Sequence, residues 1–393
     1  MNQKLTVYFM LILLPFFLSG CWDSMELNDR AIELAWGIDA AKGKKIQIST
    51  QVIIPSKIGW GQGNSGGGGQ GKNYFVETGI GNDTLEAVEK MQTKLSRKIF
   101  RGQRRVIVVG EKLARKGIKN ILDTYTRDPS INLLTDIFVI KGGTARNFLE
   151  TSYPLESIPA VGALKEYNQI GALKQVGFLQ FLLSASSEGS CPTIPTLLFS
   201  PSASSAEGQK QEEKGFRIAG SGIFNKELKL IGFLNLEEGK VLRWVTGNLD
   251  FLTITSRVPR EKGYISLDVN KVDSKIQPLV QGNKVKFLVK LTGQGSIREN
   301  NTSLDLTDVK NIAIVQQALD TQAEKMVLRT IRKVQKEYGT DIFGFSDAIQ
   351  QKDLRQWKSL KKNWDQEFSE AEISVKANLL VRKIGVTGQS LIK

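Results

Sequence analysis

The sequence predicts an α+β chain of several domains, three units of mixed sheet and helix placed behind a lipoprotein signal peptide. Three observations carry that prediction. Between Tyr74 and Glu150 apolar strands alternate with amphipathic helices, the β-α-β rhythm of a mixed or parallel sheet covered by helices. After Phe216 the pattern changes to paired, alternating strands and one long helix, Asn311 to Tyr338. Ahead of both lies a short apolar run that ends in Leu18-Ser19-Gly20-Cys21. With 393 residues, 40% of them apolar and 24% charged, the chain is long enough for two or three domains with buried cores.

The apolar run begins after Lys4 and reaches Leu18, with only Thr6 and Tyr8 polar and Pro15 inside it. It is shorter than the roughly 20 residues a membrane-spanning helix needs. A positive n-region, an apolar h-region and small residues at a cut site make a secretory signal. Leu18-Ser19-Gly20-Cys21 is moreover a bacterial lipobox, in which the Cys21 thiol takes a diacylglyceryl group through a thioether. Cleavage before Cys21 makes residues 1–20 the signal peptide; the alternative is a plain secretory signal with an incidental cysteine. Two acyl chains, at about 0.8 kcal/mol per buried methylene, hold a protein stably on a bilayer. No other cofactor is expected. No second apolar run of membrane length follows, so the folded part is expected outside the cytoplasm, soluble and tethered by one end.

Charge and residue usage narrow the function. The net charge of +14 favours an anionic membrane or wall polymer as neighbour. Nucleic acid is not expected, because an exported lipoprotein does not meet it. The chain has no histidine, which removes Ser-His-Asp and Cys-His chemistry and the usual zinc sites. No metal site is expected. With Cys21 acylated, Cys191 stands alone in Ser190-Cys191-Pro192, without basic neighbours to activate it. No constellation rises to a catalytic site, so the chain reads as a binding or scaffolding protein and not an enzyme.

The elements follow in order. Ile32 to Asp39 and Ile46 to Ile54 read as a hairpin ended by Pro55, and residues 59–72, with eight glycines, as a flexible loop. Gly71-Lys72 there leads into a strand, not a helix, so it is no phosphate loop. Tyr74 to Gly79 is a strand. Asp83-Thr84-Leu85-Glu86 caps a helix with the stripe Leu85, Val88, Met91, Leu95 and Ile99. Arg105 to Gly110, Lys112 to Tyr125, Thr135 to Lys141 and Ala145 to Glu150 continue as strand, helix, strand and helix. Helical patches run from Leu155 to about Leu183. Phe216 to Phe224 and Leu228 to Leu234 form a second hairpin, followed by a helix capped at Asn235 and a strand from Leu252 to Val258. Tyr264 to Asn270 and Lys284 to Ile297 alternate as antiparallel strands. After the long helix, Leu354, Trp357, Leu360, Trp364 and Phe368 share one helical face, and Glu372 to Ile384 closes the sheet.

These elements divide the mature chain into an N-terminal mixed α/β domain over 21–183 and a Ser/Gly/Pro-rich linker over 184–215. A hairpin-helix domain over 216–260 and an α+β domain over 261–393, holding the helix 311–338, follow.

Several stretches together resemble one family. They are Cys21-Trp22-Asp23 with Glu26-Leu27, then Gly37-Ile38-Asp39, Ile53-Ile54-Pro55-Ser56, and Arg105 through Ala114 leading to Arg127-Asp128. Ala219 through Phe224, Asp341-Ile342-Phe343-Gly344-Phe345, and Trp357 through Trp364 complete the set. In that order and spacing the chain resembles the Ger(x)C lipoproteins, the C subunits of bacterial spore germinant receptors. It departs from them at Gln103, where histidine is common nearby, at Asn132, near which a second arginine is common, and in the glycine-rich loop. The resemblance implies a three-domain lipoprotein on the outer face of the spore inner membrane. It implies membrane-embedded A and B receptor subunits as partners in nutrient-triggered germination. The alternative from another class is a lipid-anchored solute-binding protein of a transporter, which needs two similar lobes around a cleft.

Overall fold

The computed structural model describes residues 29–55, 72–127, 132–151, 153, 155–171, 177–201, 214–281 and 284–385. The signal peptide, Leu18, Ser19, Gly20, Cys21, Trp22, Asp23, Glu26, Leu27 and nearly all of loop 59–72 lie outside the described residues.

Mixed sheets and helices build two layered units, as an α+β chain requires. The first unit is a nine-stranded sheet. It holds β1 (Arg30–Ala40), β2 (Ile46–Ile53), β3 (Tyr74–Gly81), β4 (Lys98–Phe100), β5 (Val106–Gly110), β6 (Asp136–Lys141), β7 (Thr193–Pro201), β8 (Lys214–Phe224) and β9 (Leu230–Leu234). Their order is β3-β2-β1-β5-β6-β7-β8-β9, with β4 beside the start of β1. The middle strands β1, β5, β6 and β7 are parallel, and the two flanks are antiparallel. All five residues of β5, Val-Ile-Val-Val-Gly, are buried, because helices cover both faces. One face carries Trp36, Ile107, Val109 and Ile137 against α1 (Thr84–Gln92), α2 (Glu111–Lys116), α3 (Lys119–Arg127) and α6 (Phe178–Ser186). The other carries Val106, Val108, Phe138 and Leu197 against α4 (Ala145–Glu150) and α5 (Pro159–Gln169).

The second unit is a four-stranded sheet, β10 (Phe251–Arg257), β11 (Tyr264–Gln281), β12 (Lys284–Asn300) and β13 (Glu372–Lys383), reached through α7 (Leu236–Val245). Its inner face packs on α8 (Val309–Glu337), which buries Val315, Leu319, Ala323, Val327, Ile331 and Val334. Its other face is open, so β10 alternates exposed and buried along its length. Asp308 caps α8 by accepting from Lys310 N, and Gly339 at φ 60° ends it. Three short helical turns follow: α9 (Phe345–Lys352), α10 (Leu354–Leu360) and, after the 3-10 turn Lys361–Asn363, α11 (Trp364–Glu370).

Several expectations change. The segment expected as the linker 184–215 contributes β7, paired in parallel with β6, because its apolar island Ile194 to Phe199 is a central strand with Ile194 and Leu197 fully buried. The hairpin of the expected middle domain 216–260 is β8 and β9 of the same large sheet, whereas β10 begins the second sheet. The helix expected over 112–125 is two, α2 and α3, broken at Gly117, whose φ of 107° lies in the left-handed region. Helix α1 stops at Gln92, which leaves Leu95 outside it and Ile99 in β4, and Leu85 is exposed. The strand expected to close the sheet does so as β13, parallel to β12, because α8 is a crossover between them. The aromatic stripe is interrupted by the 3-10 turn, yet Trp357, Trp364 and Phe368 are buried together in the core while Leu354 is exposed. No helix among the described residues is long and apolar enough to cross a membrane.

Candidate functional site: the joint and cleft between the two sheets

The short segment between α6 and β7 meets α9 and α10 at very close range. A Cβ on Gly189 would lie 2.2 Å from Ser346 Cβ and 2.6 Å from the Trp357 ring, so only glycine fits. Cys191 N donates to Asp341 O at 2.7 Å, and Lys226 Nζ donates to the carbonyls of Ser187 (2.8 Å) and Ser190 (2.6 Å). Ser187 Oγ and Ser190 Oγ donate to the two carboxylate oxygens of Asp347 at 3.2 and 2.9 Å. Across the same joint Trp357 Nε1 donates to Glu188, which Lys361 also pairs at 3.1 Å.

Asp341, fully buried, organises the entry to α9. Its carboxylate accepts from the N–H groups of Phe343, Gly344 and Phe345 at 3.0, 3.0 and 3.2 Å, and from Ser346 at 2.8 Å. Burial pushes its carboxyl upward, and those backbone donors pull the other way. Gly344 takes φ 85° to close the turn. The motif Asp341 to Phe345 is thus a hinge-pin of the joint.

A cleft of about 840 Å³ opens beside this joint, between α6, α7, the middle of β11 and α9. Cys191 lines it but is no nucleophile, because burial pushes its thiol up to about 12. Arg243 of α7 lines it too. This residue is 3% exposed, and no carboxylate bonds to its Nε, Nη1 or Nη2 among the described residues, although the Tyr167 hydroxyl lies close enough to feel the guanidinium. Its Cζ stands 5.5 Å from the centroid of the Tyr167 ring. Among the lining residues stand three cations, Arg243, Lys275 and Lys352, and one carboxylate, Asp347. With Asp347 tied to two serines and the Cys191 thiol pushed up by burial, the described lining holds more cations than carboxylates.

The other motif residues serve the large sheet. Asp39 accepts from Ala145 N (2.8 Å) and Arg146 N (2.9 Å), so it caps α4. A Cβ on Gly110 would stand 2.0 Å from Asp39 Oδ1, and one on Gly37 3.0 Å from Ala145 Cβ. Gly37-Ile38-Asp39 and the glycine that ends β5 therefore meet, although 71 residues separate Asp39 from Gly110 (110 − 39). Gly220, at φ 130°, lies against Leu234 O, and Gly239 of α7 packs on its Cα. Arg127 pairs with Asp123 on the surface at 2.8 Å.

Sequence reasoning missed two features. One is Arg243, which reads as an ordinary polar position of a helix. The other is a buried pair, Glu33 with Arg104, in which Thr50 Oγ1 donates to Glu33 at 2.7 Å and Arg104 lies 4.0 Å over Trp36. The signal for the second was a lone glutamate inside the apolar run Ala31-Ile32-Glu33-Leu34-Ala35.

Comparison with known proteins covers both units. Residues 23–198 match the family described as the spore germination protein N-terminal domain, and 219–385 match the spore germination B3/GerAC-like C-terminal family. The putative spore germination protein YfkR of Bacillus subtilis (strain 168) is 27% identical, with 98% of each chain covered. Spore germination protein KC of the same organism is 28% identical over 98% of this chain and 97% of its own. Among solved structures the GerBC protein superposes with a TM-score of 0.58 at 18% identity, covering 88% of this chain and 96% of that one, which makes the fold the same. The chain belongs to the Ger(x)C family of spore germination proteins.

Proposed function

We propose that this chain is a lipid-anchored, non-enzymatic subunit of a spore germinant receptor, acting with membrane-embedded A and B subunits when nutrients trigger germination. One observation carries the reading: likeness to spore germination proteins over the whole chain is joined to a lipobox at Cys21. The first strand begins at Arg30, nine residues beyond Cys21 (30 − 21), a span of at most about 30 Å when extended. β1 starts at the edge of the large sheet from which β5 and β6 also start. That edge presents exposed Leu133, Leu134 and Leu179 with exposed Lys98 and Arg105. Apolar and basic groups side by side suit an anionic bilayer, and hence a place on the outer face of the spore inner membrane. The transporter alternative is disfavoured, because a nine-stranded sheet covered on both faces and a four-stranded one covered on one are not similar lobes.

The test is Cys21→Ala in spores. We expect a poor response to the nutrient this receptor serves, a normal response through other receptors, and loss of the lipidated form from the membrane fraction. A tagged wild-type chain should bring down the A and B subunits from spore membranes. Wild-type germination by a variant shown to be unlipidated and absent from the membrane would sink the tether reading, and a pull-down empty of both subunits the receptor reading.

A further inference from the structure

Among the described residues two arginines are deeply buried, and only one of them faces a carboxylate there. Arg104 faces Glu33. Arg243 is equally hidden, and no carboxylate bonds to its guanidinium among the described residues. A buried charge without its partner is one of the costlier arrangements a fold can hold. Asp136, at the start of β6, is the buried acid that also influences Tyr167, but it does not answer the need. Burial pushes its carboxyl up to about 7, and Arg105 is the cation that opposes the rise. The ammonium of Lys240, three residues before Arg243, is lowered by burial and then by Arg243 itself, so the surroundings are already positive.

Arg243, its guanidinium buried without a carboxylate partner, is among the residues that line a cleft with the matching character. Lys275 and Lys352 stand exposed at its wall, and Asp347, the one lining carboxylate, is occupied by Ser187 and Ser190. Amides and hydroxyls such as Gln180, Asn248 and Ser274 supply neutral hydrogen-bonding groups. A volume of about 840 Å³ falls within the range of small-molecule sites, roughly 300–1,000 Å³. We propose that this cleft is a binding site for a small-molecule carboxylate, whose carboxylate group pairs with the Arg243 guanidinium. That planar fork matches a carboxylate with two parallel hydrogen bonds. The joint built by Gly189 and Asp341 holds α9, one wall of the site, against the large sheet. The site would let a bound anion bridge the two sheets, and it stands whether or not the chain is lipid-anchored.

The experiment is thermal unfolding of the purified full-length chain in sodium acetate, succinate, glutamate or citrate, each against sodium chloride at matched ionic strength. At least one carboxylate should raise the Tm of the wild type, by about 2–4 °C at tenfold excess over Kd. Arg243→Met should lose that rise and, in chloride alone, melt no lower than the wild type, since it removes an unpaired buried charge. Calorimetric titration of the wild type with succinate and with succinamide needs no variant: the diacid should bind and the diamide should not. The proposal is overturned by any of three results. These are no carboxylate effect beyond chloride together with no succinate binding, an equal rise in Arg243→Met, or a large loss of stability in Arg243→Met in chloride, which would make the arginine a structural group held by ordered water.

Discussion

The two sheets solve the burial problem differently. The large sheet has helices on both faces, so Ile107 and Val108, neighbours that point opposite ways, are both shut from solvent. The small sheet has α8 on one face only, so Ile254 is buried while Thr255 beside it is exposed. A two-faced strand has no tolerant position, whereas a one-faced strand has one at every second residue. The sheets therefore differ in what their sequences reveal as well as in how they fail.

The sharpest way to break this contrast is a set of four aspartates. Ile107→Asp and Val108→Asp should each cost about 4 kcal/mol or more, because either side chain enters a core. Ile254→Asp should cost as much, but Thr255→Asp should fall within about 1 kcal/mol, the loss of its hydroxyl contact with Ser266 included. Denaturant midpoints measure all four. A mild Ile107 or Val108 variant would mean that one face of the large sheet is not sealed.

The same contrast explains what the sequence made legible. Alternation in Phe251–Arg257 and Glu372–Lys383 is the direct imprint of one open face, and capping residues at Asp83 and Asn235 marked true helix starts. Strand β7 was not legible, because a buried central strand is an apolar island without period, and serines and prolines around it read as a boundary. The parallel placement of β13 depends on a crossover, which no local pattern encodes. The joint motif Asp341 to Phe345 was visible as a string of residues, but its role required seeing Gly189 and Cys191 brought to it from 150 residues away (341 − 191). Arg243 was illegible for a related reason: its oddity is the lack of a carboxylate beside it among the described residues.

The joint itself yields the next largest effect. Gly189→Ala forces a methyl to within 2.2 Å of Ser346 Cβ, which is fixed near the start of α9 and cannot swing away as a long side chain would. Overpacking of this kind costs about 1–3 kcal/mol. Gly43→Ala is the control, since nothing lies within 4 Å of its added methyl and only the φ of 68° resists. If the sheets unfold as one unit, Gly189→Ala lowers a single transition. If they are separable, the unfolding curve splits in two, and the cleft between them cannot be a preformed site.

The smallest of the three effects separates the sheets by pH. Asp136 of the large sheet is 3% exposed, and burial lifts its carboxyl to about 7, well above the ordinary carboxylate range. The folded state therefore holds this proton more tightly than the unfolded chain does. Its contribution is fully present below about pH 4 and is lost as pH rises through 7, so stability should fall between pH 5 and pH 8. In the small unit, burial lifts Asp320 to about 6, but the side chain is partly exposed and accepts from Leu379 N, so solvent and that bond dilute its share. We expect Asp136→Asn to flatten the decline by about 1–2 kcal/mol over that range, at up to about 1.4 kcal/mol per pH unit for one group. Asp320→Asn should flatten it less. Denaturant midpoints at pH 5, 6, 7 and 8 for the three proteins decide the matter. A wild type that gains stability across this range, or an Asp320→Asn variant that removes more of the slope than Asp136→Asn, would show that the large sheet does not shield its acid more fully than the small one.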